Sequence, residues 1–340
     1  MSLFDEIVVQ HPNFAQALDL VEDFERRTEA GEKLLLPIFG PTRVGKNSAT
    51  SMLQYKYRSY DVDGVRIKPL VLVKTPTRPT LSSLPESILI ALGMRAWSNV
   101  GTTSKLTAHA MNCLKRCQAK YVILDEFQHF AELGSNKINR NVSDWLKNFY
   151  DESGVSVILL GLPAALRALD SNEQLRDRAL APHHLLPYNW LVEKEQIEFS
   201  GAFHELLKEI KDIGYVLNFD EAMDLPMYIA SGGRFGMVIK IMREACSIAA
   251  ESYNITQKVL GVAHGRAVDI KTVNFNPFLA PELREQDASD AFFSVLRQSG
   301  YSEAHALALA GRAAKEEEIR KQRAGRRKSH IEAAKKDLGC

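Results

Sequence analysis

Residues 40–46, Gly-Pro-Thr-Arg-Val-Gly-Lys, have the composition of a loop that binds phosphate groups. The apolar run at 34–39 precedes this loop, and a segment with helical character follows it. In such a strand–loop–helix unit the backbone N–H groups converge on phosphates, and the positive helix N-terminus adds to the attraction. Lys46 would reach the β- and γ-phosphates as a compact positive charge. The predicted nucleotide-binding set is Gly40, Pro41, Thr42, Arg43, Val44, Gly45, Lys46, Asn47 and Ser48; the alternative is a glycine-rich turn without a ligand.

The residue after the lysine departs from the usual pattern, which requires Ser or Thr at that position. Asn47 stands there, and Ser48 follows one place later. An amide carbonyl is also a hard oxygen ligand, so Asn47 could take the place of the hydroxyl that contacts Mg²⁺. Ser48 would lie about 100° further round the helix and reach the metal less easily. We expect nucleotide binding to persist, with weaker Mg²⁺ affinity and slower turnover.

A second chemical signal is the pair Asp125-Glu126, which ends the apolar strand of residues 121–124. A carboxylate at the tip of a strand beside a phosphate loop can hold Mg²⁺, usually through its water ligands. An adjacent glutamate can orient and polarise a water for hydrolysis. Taken alone, a strand that ends at the surface in acidic residues is common. The phosphate loop earlier in the chain favours the functional interpretation.

Three later arginines could complete such a site. Arg176 and Arg178 follow the fourth predicted strand, where an arginine can reach from one subunit onto the γ-phosphate held by its neighbour. Arg234 follows a Gly-Gly turn at the start of a later helix, and it could close onto the nucleotide. The alternatives are a solvated helix arginine for the first two and an ordinary helix-start residue for Arg234.

The elements that must position these residues alternate along the first half of the chain. Continuous apolar runs at 34–39, 68–76, 120–125 and 155–163 are typical of buried strands, and segments with helical periodicity separate them. This alternation predicts a parallel α/β sheet. After residue 195 only helical periodicity remains, up to about residue 270. The predicted organisation is an α/β domain at 1–190, a small all-helical domain at 191–270 and a C-terminal tail at 271–340.

The bulk composition is that of an ordinary globular protein, with 340 residues, 45% hydrophobic, 25% charged and a net charge of +1. The whole chain therefore has no strong attraction for nucleic acid, and any such affinity must be local. We expect no membrane segment, because no apolar run approaches the ~20 residues that a span requires. The N-terminus does not read as a secretory signal. Four cysteines do not suggest a disulfide scaffold, and Cys113 and Cys117 have no further zinc ligands nearby in sequence, so a cytoplasmic protein is predicted.

Together these residues resemble the AAA+ ATPases and, more narrowly, the TnsC/TniB family of ATP-dependent DNA transposition regulators of Tn-seven-like elements. The resemblance covers residues 11 to about 250, and 276–278 (NPF) is similar to the family's tails. The pair Gln128-His129 after the acidic residues is fairly specific to this family among AAA+ proteins. The matching segments are FGPTRVGK, VILDEFQHF, the helix VSDWLKNFYDESG before VSVILLGLP, QLRDRAL and SGGRFGMVIKIMREA.

The resemblance implies an AAA+ P-loop NTPase fold, with a parallel sheet flanked by helices and a small helical lid domain. It implies ATP and Mg²⁺ at an interface between subunits, and a homo-oligomeric ring or filament on double-stranded DNA. It also implies a link between the transposase and a target selector of the TniQ type, in some elements an RNA-guided, CRISPR-associated complex. The resemblance implies that Lys46 binds phosphate, Asp125 binds Mg²⁺ and Glu126 is the catalytic base. Arg178, with Arg176 as second choice, would be the arginine finger that reaches the ATP of the neighbouring subunit. Arg234 would be the sensor arginine of the lid domain.

One further departure concerns the strand at 155–163. Many AAA+ proteins place Asn or Thr near the end of this strand to position water, whereas Gly161 stands there in this chain. Together with Asn47, this glycine predicts slow hydrolysis, which suits a timer or switch better than a motor. For a DNA-binding regulator of this family we also expect DNA to stimulate hydrolysis.

Residues for DNA contact are sought among basic and small polar groups in loops, since phosphates attract them regardless of sequence. The first choice is 98–107, with Thr102, Thr103 and Lys105; the second is 134–141, with Lys137 and Arg140. Either could be a plain solvated loop. Residues 311–336 hold ten Lys or Arg and four Glu, and they form a basic tail that could contact DNA or dock a transposase. The basic residues of interest in the tail are Arg320, Lys321, Arg323, Arg326, Arg327 and Lys328.

Two other functions remain open from the sequence. One is a non-hydrolysing nucleotide switch that acts mainly as a protein scaffold, with Asn47 abolishing the chemistry. The other is an AAA+ helper of replication initiation or loading, whose phosphate loop and acidic strand would look similar. The residues after Glu126 and the tail features favour the transposition regulator.

Overall fold

A computed structural model describes residues 12–77, 79–94, 102–132, 136–220, 222–269 and 272–302, with residues 304, 306–308 and 311; side chains are described from Ala17 onward, except at 131–132 and 136–139. The described residues up to Pro187 form one compact unit, and those from Tyr188 onward form another. Among the described helices, none combines the length and the apolar character that crossing a membrane requires.

The first unit contains a five-stranded sheet in the order β4-β5-β6-β1-β7, in which every neighbouring pair is parallel. A separate antiparallel hairpin is formed by β2 and β3. The strands are β1 Leu35–Phe39, β2 Tyr60–Val62, β3 Val65–Ile67, β4 Leu70–Lys74, β5 Tyr121–Asp125, β6 Ser156–Gly161 and β7 His183–His184. The helices are α1 Pro12–Glu29, α2 Lys46–Lys56, α3 Ser83–Ala91, α4 Thr103–Arg116, α5 Gln128–Glu132, α6 Asn136–Ser153, α7 Leu166–Asp170 and α8 Glu173–Arg178.

Alternate residues of each central strand enter two different cores, because successive side chains point to opposite faces of a sheet. In β1, Leu36 and Ile38 pack on one face with apolar residues of α1 and α2. Leu35 and Phe39 pack on the other face with apolar residues of α3, α4 and α6. Both faces are therefore covered, which explains why the strands are continuously apolar, and the predicted parallel sheet flanked by helices is confirmed.

The strand register aligns the carboxyl ends of the central strands. Phe39 at the end of β1 is the partner of Gly161 at the end of β6, and Lys74 at the end of β4 is the partner of Asp125 at the end of β5. The loop that follows β1 and the acidic pair that ends β5 therefore emerge at the same edge of the sheet. This edge carries the candidate site.

The second unit is mainly helical, with α9 Glu193–Asp212, α10 Asp224–Ser231, α11 Phe235–Ile248, α12 Gln257–Ala267 and α13 Glu285–Gln298. The sequence predicts only helices here, but β8 Val216–Asn218 and β9 Asn254–Thr256 form a short parallel pair. Each strand has three residues, a length too short to show a period of two in the sequence.

The domain boundary predicted at residue 270 is wrong for the described residues that follow it. Phe278, Ala288 and Ala291 are fully buried in the same core as the apolar faces of α9, α10 and α11. Helix α13 therefore belongs to the helical unit and is not part of a tail. The proline-containing segment before α13 interrupts the helical periodicity, and this interruption concealed the continuity in the sequence.

Gly40 marks the point where the main chain turns from β1 into the loop, and it allows a close approach by another strand. A β-carbon on Gly40 would lie 2.1 Å from the backbone carbonyl oxygen of Leu185, which follows β7. The Leu185 N–H donates to the Phe39 carbonyl oxygen at 2.8 Å, so this backbone cannot move away without breaking a sheet hydrogen bond.

Replacing Gly40 with alanine is expected to destabilise the first unit by about 1–3 kcal/mol, because the added methyl group meets a fixed carbonyl oxygen. The measurement is urea unfolding followed by circular dichroism. Thr42→Ala, in the same loop at an exposed position, is the matched control and should unfold as the wild type does. Equal stability of the two variants would contradict the close approach.

Candidate nucleotide-binding site

The loop between β1 and α2 has the shape that the phosphate-binding pattern requires. Arg43 and Gly45 have positive φ angles of 65° and 101°, which turn successive peptide units within the loop. Val44 is buried and anchors the loop in the core, whereas Thr42 and Arg43 are exposed. The loop is therefore anchored in the core through Val44, and its exposed main chain could bind an anion.

Lys46 is the first residue of α2, and its side chain folds back over the loop. Its Nζ donates hydrogen bonds to the carbonyl oxygens of Gly40 at 2.7 Å and Pro41 at 2.6 Å. Burial lowers the pKa of Lys46 to about 8, although the nearby Glu126 and Asp125 carboxylates favour the charged form. Within the described residues neither carboxylate forms an ion pair with Lys46, and a phosphate group would supply a charge partner in direct contact.

Asp125 and Asn47 face each other across the start of α2. The Asn47 amide nitrogen donates to Asp125 Oδ2 at 3.4 Å, and the Glu126 N–H donates to Asp125 Oδ1 at 2.9 Å. Burial is the main cause that raises the pKa of Asp125, and the Glu126 charge adds to it, while the Glu126 N–H, Lys46 and Asn47 oppose the rise. A divalent cation would remove the same penalty by stabilising the ionised carboxylate.

The donors at this position fit a magnesium ion. Carboxylate and amide oxygens are the hard ligands that Mg²⁺ accepts. Asp125 supplies the carboxylate, and Asn47, whose amide nitrogen donates to Asp125, would supply the amide oxygen after rotation of its side chain. The exposure of Asn47 leaves room for the water ligands that Mg²⁺ retains. Ser48 is exposed one residue further along α2, and its hydroxyl makes no hydrogen bond to Asp125 in the described structure.

Glu126 follows β5 in a left-handed backbone conformation, with φ at 56°. Its Oε2 accepts a hydrogen bond from Nε2 of Gln128 at 2.5 Å. Oε1 of Gln128 accepts in turn from the Leu162 N–H at 2.9 Å, just beyond the end of β6. Sequence reasoning noted Gln128 only as a family feature and gave it no role; its position two residues after Glu126 was the available signal.

The two candidate finger arginines on α8 differ in their surroundings. Arg178 Nε donates to Asp151 Oδ1 at 2.7 Å, and Arg178 Nη1 donates to the Gln174 carbonyl oxygen at 2.8 Å. Arg176 is exposed, and its guanidinium makes no hydrogen bond or ion pair with any residue that the structure describes. The preferred residue of the sequence prediction, Arg178, is therefore already engaged within its own chain.

The remaining predicted residues lie on other parts of the molecule. Arg234 belongs to the helical unit, where it precedes α11, is buried, and donates from Nε to the Ser231 carbonyl oxygen at 2.9 Å. Thr103 and Lys105 lie in the first turn of α4, and Lys105 is exposed. Lys137 and Arg140 lie in α6, and Arg140 is exposed. The basic tail lies outside the described residues.

The fold is shared with solved AAA+ ATPases. The chain is similar to the ORC2 protein of Aeropyrum pernix in ADPNP-ADP complexes, with 16% identity, a TM-score of 0.54 and coverage of 78% of this chain and 72% of that one. It is similar to the ORC1 protein of Aeropyrum pernix in complex with DNA, with 14% identity, a TM-score of 0.53 and coverage of 78% of this chain and 68% of that one. It is also similar to Cdc6p of Pyrobaculum aerophilum, with 12% identity, a TM-score of 0.56 and coverage of 92% and 89%. At these identities the likeness shows the fold alone.

The fold is that of the AAA+ ATPases, and the loop between β1 and α2 has the P-loop pattern. The family model of the bacterial TniB protein matches residues 3–189, which is more than half of the chain. The chain belongs to the TniB family, as the sequence motifs predicted. No match is found among curated proteins.

The lowered pKa of Lys46 predicts that nucleotide binding weakens at alkaline pH. ATP favours the charged ammonium group, so above pH 8 the free protein must take up a proton when it binds. Affinity should then fall as pH rises, approaching about tenfold per pH unit. Calorimetry in buffers of different ionisation enthalpy should detect uptake of up to one proton at about pH 9 and almost none at about pH 6.5. A dissociation constant that stays the same from neutral pH to about pH 9.5 would refute this account of Lys46.

Proposed function

We propose that this protein is an ATP-dependent, DNA-binding regulator of transposition that binds and slowly hydrolyses ATP. The observation that carries the proposal is the meeting of Lys46, Asn47, Asp125 and Glu126 at one edge of the sheet, in a chain of the TniB family. The loop supplies main-chain donors for phosphates, Lys46 supplies a positive charge, and the acidic pair supplies a metal ligand and a base.

In the proposed reaction a water molecule attacks the γ-phosphorus of ATP and gives a proton to the Glu126 carboxylate. The bond between the γ-phosphorus and the β,γ-bridging oxygen breaks, and ADP leaves with the electron pair while inorganic phosphate forms. Lys46 holds the β- and γ-phosphates, and Asp125 with Asn47 would hold Mg²⁺. When bound, Mg²⁺ neutralises the charge that develops on the phosphate oxygens.

Glu126 has the geometry of a general base. One of its carboxylate oxygens, Oε2, is held by Gln128, and Oε1 makes no hydrogen bond within the described residues, so it can accept from water. Hydrolysis is expected to be slow, because the amide of Asn47 replaces the usual hydroxyl ligand. A slow ATPase persists in its ATP-bound state, which suits a switch.

DNA contact is proposed for the starts of α4 and α6. Each helix leads into a strand of the parallel sheet, so each begins near the carboxyl edge that carries the nucleotide site. Neither first turn contains an acidic residue, although carboxylates are favoured at helix N-termini. The two positive helix ends, with exposed Lys105 and Arg140, form a surface that favours DNA phosphates. Thr103 of α4 and Lys137 of α6 remain part of the same proposal.

Assembly on double-stranded DNA as a ring or filament is proposed from the family's known behaviour, with ATP at the subunit interface. In this arrangement Arg176 is the better finger in trans, since its guanidinium is exposed and Arg178 is paired with Asp151. The further partners proposed are the transposase and a TniQ-type target selector. No observation favours a replication loader over this function, because the Orc and Cdc6 likeness is one of fold.

The test of the proposed function is phosphate release by the purified chain, with and without duplex DNA. Wild type should show slow turnover that DNA stimulates, and Glu126→Gln should lose turnover about 10²–10⁴-fold while it retains ATP binding. Electron microscopy with an ATP analogue and duplex DNA should show rings or filaments, which Lys46→Ala should abolish. Assembly without turnover under any condition would favour the non-hydrolysing scaffold; monodisperse monomers would oppose both functions.

The arginine assignment predicts different effects for two substitutions on α8. Arg176→Ala should lower DNA-stimulated turnover about 10³-fold or more, since removal of a finger leaves transition-state charge unneutralised. Arg178→Ala should mainly lower stability, by up to about 1 kcal/mol, because it breaks a partly exposed ion pair. Mixing the Arg176→Ala and Glu126→Gln chains separates action in trans from action in cis, since mixed interfaces restore activity only in trans. Loss of turnover in Arg178→Ala alone would reverse the assignment.

A further inference from the structure

Gln128 is a buried polar residue that bridges Glu126 and the backbone beyond β6. Its side chain belongs to a residue that is only 2% exposed, at the first position of α5. Its carboxamide donates to Glu126 Oε2 at 2.5 Å and accepts from the Leu162 N–H at 2.9 Å. Because the acceptor end is fixed to the backbone that follows β6, the donor end has a defined position. A buried amide held in this way can orient a neighbouring carboxylate.

The same carboxamide occupies the space above Gly161. A β-carbon on Gly161 would lie 2.6 Å from Gln128 Oε1, 3.2 Å from the Gln128 backbone nitrogen and 3.3 Å from the Phe127 backbone nitrogen. The Phe127 N–H donates to the Leu160 carbonyl oxygen at 2.9 Å, which keeps this backbone close to β6. Any side chain at 161 would therefore displace the Gln128 amide. Glycine at the end of β6 and glutamine at the start of α5 form one packing unit.

We propose that Gln128 is the positioning residue for Glu126, and that its carboxamide supplies from α5 the polar group that the end of β6 lacks. The proposal rests on the proposed function, in which Glu126 accepts a proton from water. Gln128 holds Oε2 and leaves Oε1 for that water. The left-handed backbone of Glu126, with φ at 56°, directs the side chain toward this partner. Gly161 is then a consequence of the position of Gln128 and not a loss from the site.

The principal test is Gln128→Met, which keeps the length of the side chain and removes both hydrogen bonds. Turnover should fall about 10- to 100-fold, while affinity for a fluorescent ATP analogue changes less than about twofold, because the carboxylate is misplaced and the phosphate loop is intact. Tyr57→Phe is the matched control: it removes a part-buried hydrogen bond to Glu25 and an exposed one to Glu29 beyond the far end of α2, and turnover should stay at the wild-type level.

A rescue experiment uses the shared space. Gly161→Asn alone should lower turnover, because its side chain displaces the Gln128 amide. Gln128→Ala together with Gly161→Asn should recover at least about tenfold over Gln128→Ala, because the truncated side chain leaves room for an amide from β6. If the double variant is no more active than Gln128→Ala, an amide at position 161 cannot replace the Gln128 amide, and this part of the proposal is wrong.

The inference and the proposed function fail in different ways. One outcome overturns the role of Gln128 and leaves the ATPase proposal standing. In that outcome Glu126→Gln loses turnover, whereas the turnover of Gln128→Met equals that of the Tyr57→Phe control or exceeds that of wild type. If wild type does not turn over at all, hydrolysis fails, and a crystal structure of Gln128→Met still decides the positioning role. A Glu126 carboxylate that turns away from β6 in that crystal supports the role, and an unmoved carboxylate overturns it.

Discussion

The parallel register of β1, β5 and β6 is the constraint on which the site depends. Because Phe39 pairs with Gly161 and β5 pairs with β6 on the other side, the strands end together at one edge. A shift of one residue would turn the apolar side chains of a strand toward the wrong core. The two packed cores, one on each face of the sheet, therefore fix the level at which the loop and the acidic pair emerge.

The charged groups at this edge suit a ligand that brings both negative charge and a metal ion. Burial makes the charged form of Lys46 costly, and it also makes the charged form of Asp125 costly. Each cost is relieved by the partner that ATP with Mg²⁺ would bring, since phosphate stabilises the ammonium group and the cation stabilises the carboxylate. In the free protein Lys46 instead uses the loop carbonyl oxygens of Gly40 and Pro41. Binding would then exchange internal hydrogen bonds for contacts with the phosphates.

Departures from the usual P-loop pattern gain a physical meaning in this structure. Asn47 contacts Asp125, so a polar group is preserved beside this carboxylate. The Gln128 amide occupies the space beside Gly161, so a polar group is still present at the end of β6. Both changes preserve polar groups while altering which element supplies them.

The sequence by itself determined the local units of this protein. The apolar run before Gly40, the loop up to Lys46 and the pair Asp125-Glu126 are contiguous segments, and their neighbours in the chain specify strand, turn and helix start. From them the parallel sheet, the AAA+ class and the family follow, and the fold and the comparisons confirm these. The roles of the individual site residues stay predictions that the proposed experiments test.

Only the tertiary structure decided which side chains meet across the chain. Gln128 bonds to Leu162, Arg178 pairs with Asp151, and α13 enters the core of the helical unit after a segment of bends and turns. These contacts join residues from different elements, and no periodicity within one segment encodes them. Their energies depend on burial and on the distance between groups, which the packing of complete elements sets. For that reason the sequence identified the candidate site residues, and only the packing of the sheet and helices determined which groups they contact.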